Sequence, residues 1–301
     1  MRMWSVRLIW IAAFISILGT AVTAWTQGGH INVSVSIVPQ KYCVEKIGGN
    51  LVDVSVMVDP GASPATYEPK PIQMAEVSKA NIYFAIGVPF EKSWLKKFAT
   101  TNPGMLVVRT EKGIEKMPMK ASHHEQGPYG HTEKDDKGIR DPHVWTAPMQ
   151  VMVLSRNILM GLLEIDPAHG PAYEANYKKF LLELVDLDAE IRGMFAGKKD
   201  LRFMVFHPAW GYFADAYGLR QVSIEIEGKS PKGKDLYHFI QMAKLSKARI
   251  IFVQPQFDQQ AAGKIASPIR GAVVPLDPLA GNYIENMAYM ASKIAEVMGR
   301  H

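Results

Sequence analysis

The sequence predicts an α/β fold of two lobes with mostly parallel sheets, joined by a long rigid helix, with a ligand cleft between the lobes. Three observations carry that prediction. Short β-branched runs alternate with helical runs over residues 31–109 and again over 202–298, the rhythm of parallel strands covered on both faces by crossover helices. Between these blocks Tyr173, Tyr177, Phe180, Leu184, Leu187, Ile191 and Met194 step by four and three, which lines them on one helical face. Finally, side chains able to bind a ligand fall just beyond strand ends, where open α/β sheets gather them.

The elements follow in order. Residues 31–38 alternate and are β-branched, so they read as a strand, and a short helix over 40–47 stops at Gly48-Gly49. A second strand, 51–58, closes at Asp59-Pro60-Gly61, and a helix over 71–79 leads to the apolar strand 82–86. A helix over 91–98 precedes the strand 105–109. From about 111 to 140 the rhythm breaks. The stretch holds His123, His124, His131, Gly127, Gly130 and many charges with little to bury, so a mobile loop is expected. Its histidines either meet metal weakly or are simply solvated, and Met117 and Met119 read as incidental. After a helix that starts near Pro148, Pro171 suits a first helical turn and Gly197 a stop. The helix between them would reach ~39 Å at ~1.5 Å per residue, a strut where a Gly-rich linker would be a joint. The second block reads as strands 202–206, 221–226, 250–253 and 272–276, alternating with helices 208–217, 235–246, 259–265 and 283–298.

At 301 residues, 48% hydrophobic and 21% charged, the composition is that of an ordinary globular protein. Its N-terminus differs. Arg2 and Arg7 precede an apolar run over 8–24 that ends in Val22-Thr23-Ala24, the pattern of a secretory signal peptide over residues 1–24. The alternative, an uncleaved anchor, has a run at the short end of the ~17–25 residues a span needs. Cys43 is the one cysteine, so no internal disulfide forms. It stands too far from the leader to carry a lipid, and its spacing from Ile47 reads as a buried small hydrophobe. The expectation is an exported, monomeric protein of the periplasm. Losing Arg2 and Arg7 takes the formal charge from +5 to 5 − 2 = +3. Lys116, Lys120, Lys134 and Lys137 share one polar stretch in which Tyr129 is the sole aromatic, so nucleic-acid binding has little support. The division is residues 30–165 as first lobe, including the 111–140 loop, 166–197 as linking helix, and 198–301 as second lobe.

Three metal-competent side chains occupy loop positions: His143 in Asp-Pro-His-Val-Trp, His207 in Val-Phe-His-Pro-Ala-Trp-Gly and Asp277 in Pro-Leu-Asp-Pro-Leu. Each alone has an ordinary reading, a capping histidine or a turn-forming aspartate. The shared setting sharpens them. Both histidines precede a proline or follow one, with Trp145 and Trp210 close behind to wall off water. Two imidazoles and a carboxylate suit Zn²⁺, and also Mn²⁺ or Fe²⁺, while the lack of a soft sulfur ligand argues against Cu(I). Neutral imidazole ligands make binding weaken as pH falls, and a flat affinity between about pH 5 and 8 would count against them.

The chain resembles the metal-specific solute-binding proteins of ABC transporters, the zinc and manganese class that includes some streptococcal surface adhesins. The likeness runs through Gly-Ala-Ser-Pro-Ala-Thr-Tyr-Glu-Pro (61–69), a histidine-bearing loop, Asp-Pro-His-Val-Trp (141–145) and Phe-His-Pro-Ala-Trp-Gly-Tyr-Phe (206–213). It continues through Glu-Gly-Lys-Ser-Pro (227–231), Pro-Gln-Phe (255–257) and Leu-Asp-Pro-Leu (276–279). The resemblance implies a metal held between two lobes at His143, His207 and Asp277 and delivered to a membrane ABC permease, with no catalysis. The chain departs from the family pattern at three places. Ala65 stands where a first ligand histidine is expected, Gln254 replaces a glutamate, and Ala147 replaces an aspartate.

The vacancy at Ala65 leaves three completions open: water or an anion, a swinging group (His123, His124, His131 or Glu68), or a pocket turned to another ligand. Two near-motifs fail. Gly61 to Ala65 lacks the last glycine of a nucleophile elbow, and Gly228-Lys229-Ser230 lacks the first glycine of a phosphate loop, whose place Ser223 takes. Two other classes remain. A zinc hydrolase would use the open position for an activated water, with Glu68 or Glu227 as base. A metal-independent adhesin would show no metal-dependent change in melting.

Overall fold

The computed structural model describes residues 30–119, 140–198, 201–224, 233–245, 250–257 and 259–298. The expected leader, the histidines His123, His124 and His131, and Glu227 lie outside the described residues.

The first sheet has the order β2-β1-β3-β4, every pair parallel, from β1 (Ile31–Val35), β2 (Val52–Val56), β3 (Ile82–Ala85) and β4 (Leu106–Arg109). Val33 is in register with Val54 on one side and Ile82 on the other. Consecutive residues of β1 and β3 are buried on both faces, because helices cover each side. These are α1 (Val38–Gly48), α2 (Pro71–Lys79), α3 (Glu91–Thr101) and α4 (Pro148–Ile165). The expected strand over 31–38 ends early, since Pro39 in the first turn of α1 draws Val38 into the helix. Gly49 ends that helix at φ +59°, a conformation open to glycine.

The long helix α5 (Gly170–Phe195) runs for 26 residues. Tyr173, Phe180, Leu184, Leu187 and Ile191 form its buried face, as their spacing predicts. It packs on α4, α1 and the closing helix α9 (Tyr283–Met298). The second sheet repeats the layout in the order β6-β5-β7-β8, again all parallel. Its strands are β5 (Arg202–Val205), β6 (Arg220–Ser223), β7 (Ile250–Val253) and β8 (Ala272–Pro275), flanked by α6 (Gly211–Ala216), α7 (Lys234–Leu245) and α8 (Gln259–Ala266).

One apolar core runs from Val33 and Phe84 through Phe180 and Leu184 of α5 to Phe203, Phe252 and Leu276. A smaller one holds Met204, Phe206, Ile251 and Ile265. Phe203 and Met204 fall in different cores because neighbouring strand residues face opposite ways. Cys43 is buried at 3% exposure.

Residues 111–119 depart from the expectation of a mobile loop with little to bury. Glu111 is buried, Ile114 and Met117 pack against the main core, and Pro118 bridges Arg140 in antiparallel fashion. Just beyond the ends of β1 and β3, buried Glu91 accepts hydrogen bonds from Ser36 Oγ (2.6 Å), Ile86 N (2.9 Å) and Gly87 N (2.8 Å). A carboxylate at this helix N-terminus thus satisfies two main-chain donors that burial would otherwise strand.

Candidate metal centre

His143 caps a short 3-10 turn, Val144–Thr146, just ahead of α4. Buried Asp141 grips it twice, its Oδ1 accepting from His143 N (2.9 Å) and from His143 Nδ1 (2.7 Å). A carboxylate can only accept here, so Nδ1 carries a proton, which leaves Nε2 as the nitrogen able to bind a metal. Tyr212, on α6, fixes Asp141 in turn. Its hydroxyl donates to Asp141 O (3.0 Å) and accepts from Met117 N (3.1 Å). Burial pushes that phenol up to about 12, so it stays neutral.

His207 follows β5. The expected helix from 208 starts later, at Gly211, because Ala209 N bonds back to His207 O at 2.8 Å and holds a tight turn. Gly211 is a place where only glycine fits, since a Cβ there would lie 2.7 Å from Asp141 Oδ2. The imidazole stacks on Phe257, with ring centroids 4.7 Å apart and 20° between planes. Its Nε2 lies 3.3 Å from His143 Nε2. Two residues 64 positions apart in the chain thus bring their Nε2 atoms together.

Asp277 sits in the loop after β8. Its Oδ1 accepts from Gln256 Nε2 (3.0 Å) and from Leu279 N (3.0 Å), and Asn286 Nδ2 donates to its carbonyl at 2.8 Å. Trp145 Nε1 donates to Pro278 O at 2.8 Å, which ties the His143 turn to the Asp277 loop. Trp145 and Trp210 are both buried. Among the described residues, no three His, Cys, Asp or Glu side chains form a group able to hold a metal ion. The imidazole pair is brought together, and Asp277 stands outside it.

Ala65 is exposed, with its amide donating to Ser63 Oγ at 3.3 Å, and Glu68 is exposed beside it. Gln254 has a role that sequence reasoning missed. Buried at 1% exposure, it donates from Nε2 to His207 O (2.8 Å) and accepts from His207 N at Oε1 (3.3 Å). An ionised glutamate could accept but not donate, so the amide does more here than remove a charge. Gln256 and Phe257 also support the site without having been read as doing so. A side chain that bonds to main chain across 47 residues leaves no periodic trace in the sequence.

The model of the family described as zinc-uptake complex component A, periplasmic (ZnuA), matches residues 33–297. The chain belongs to this family. Among its relatives, the high-affinity zinc uptake system protein ZnuA of Bacillus subtilis (strain 168) is 26% identical over 290 residues, which span 93% of this chain and 90% of that protein. The iron-binding protein YfeA of Yersinia pestis is 25% identical over 285 residues, covering 91% and 88% respectively. A crystal structure of ZnuA superposes with a TM-score of 0.81 at 38% identity, over 89% of this chain and 99% of that one. The laminin binding protein of Streptococcus agalactiae, at 22% identity and a TM-score of 0.76, shares the fold. For this ZnuA-family chain the family supplies a periplasmic, metal-handling background, and the imidazole pair is the local feature that fits it.

Proposed function

We propose that this protein captures a divalent transition metal, Zn²⁺ first and Mn²⁺ or Fe²⁺ as lesser cargoes, and hands it to a membrane ABC permease. The observation that carries the reading is the 3.3 Å approach of the two Nε2 atoms, with the His143 tautomer set by Asp141. Two nitrogens about 2.0–2.1 Å from one zinc ion in tetrahedral geometry stand at about that separation, and imidazole nitrogen suits zinc. His143 and His207 serve as nitrogen ligands. Asp277 joins them from the loop that Trp145 already tethers, adding charge and oxygen. Water or an anion fills the position that Ala65 leaves open. The names of the B. subtilis and Y. pestis relatives support metal capture and uptake.

The same reading takes residues 1–24 as a leader removed on export, the mature chain as a monomer, and 166–197 as the link between lobes 30–165 and 198–301. Elemental analysis of protein purified without chelators tests the function. Native protein should carry stoichiometric zinc, His207→Ala should carry background levels, and Asp141→Asn should bind about 10–100-fold more weakly. Full zinc content in His207→Ala would remove the site.

A further inference from the structure

The turn after β7 touches two of the proposed ligands at once. Gln254 holds the His207 main chain through two hydrogen bonds, Phe257 stacks on the His207 ring, and Gln256 Nε2 donates to Asp277 Oδ1 at 3.0 Å. Leu279 N donates to the same oxygen at 3.0 Å. A carboxylate oxygen offers about two lone-pair positions, so Oδ1 is filled. Among the described residues, Oδ2 accepts no hydrogen bond.

We infer that Gln256 sets the metal preference of the site, by holding one carboxylate oxygen of Asp277 and leaving the other as its ligating atom. The inference rests on His143, His207 and Asp277 being the ligands. With one oxygen committed, Asp277 binds in monodentate fashion. Two imidazole nitrogens, one oxygen and one solvent-derived ligand make four, the number zinc takes in tetrahedral sites. Mn²⁺ favours oxygen ligands and octahedral geometry, and a second oxygen from Asp277 would serve it better than zinc. Gln256 is therefore a positioning residue that selects against the metal demanding more ligands. It acts without touching the ion.

Competition titrations of Zn²⁺ and Mn²⁺ against a chelator, on native protein, Gln256→Met and Gln256→Leu, test this. Methionine keeps the length of the side chain and removes the donor, and melting curves report whether each variant folds. The ratio of Mn²⁺ to Zn²⁺ affinity should rise about tenfold in the variants, the scale expected when a hydrogen bond to a charged group is lost. X-ray absorption of the zinc-loaded Gln256→Met protein should show an added oxygen neighbour. Equal changes in both affinities, with an unaltered zinc shell, would overturn the role of Gln256 while leaving the ligands in place. Unchanged zinc affinity in His207→Ala, measured alongside, would instead overturn the ligand set and the inference with it.

Discussion

Glu91 takes three hydrogen bonds in the interior of the first lobe, yet burial, the larger effect, still pushes its carboxyl above the ordinary value of 4.5. Between the unfolded value and that raised one, the folded chain keeps a proton that the unfolded chain releases. The contribution is present in full below about 4.5 and is lost as pH rises through the folded value. Asp59 has the opposite sign, because Lys70 beside it lowers its carboxyl, but this exposed pair is screened by water. Melting curves from about pH 4 to 8 should show native protein losing stability with rising pH relative to Glu91→Gln. Parallel curves would contradict the shift. At this scale the sequence singles out His143 and His207, each in a proline-bearing loop, and the structure brings the two rings together. Asp141, two residues before His143, could have been found from the same motif, since a carboxylate that near can fix the ring. Gln254, Gln256 and Phe257 could not be given roles, as each acts on a residue far away in the chain.

The helices and strands follow their hydrophobic periods closely, with α2, β7 and α9 falling where the pattern places them. Boundaries shift where one residue overrides the pattern, as Pro39 does at α1 and the His207 turn does at α6. The 111–119 stretch was misread because its charges hide a few packed residues, Glu111, Ile114 and Met117. Helix α4 lies close on β3. A Cβ on Gly161 would sit 2.8 Å from Phe84 and 2.9 Å from Ile82, so the helix backbone lies directly on the strand's side chains. Gly161→Ala should cost about 1–3 kcal/mol through overpacking, despite alanine's better helix propensity. A denaturant midpoint equal to or above that of native protein would show that the interface yields.

Among the described residues, the larger of the two apolar cores joins both sheets to α5, and α9 packs back on α5. Trp145 to Pro278 and Tyr212 to Asp141 add hydrogen bonds between the two blocks. Such a body resists large hinge closure, so small-angle scattering should show little change in dimensions when zinc is added. A marked contraction would contradict it. The sequence conveyed two blocks and a strut but not this shared core, because which helix covers which sheet depends on contacts between distant segments. Anomalous scattering at the zinc edge from crystals of zinc-loaded protein puts the metal claim to its most direct trial. It should place one ion between the two histidines, about 2.0–2.1 Å from each Nε2. An ion bound elsewhere, with His143 and His207 unligated, would contradict the account.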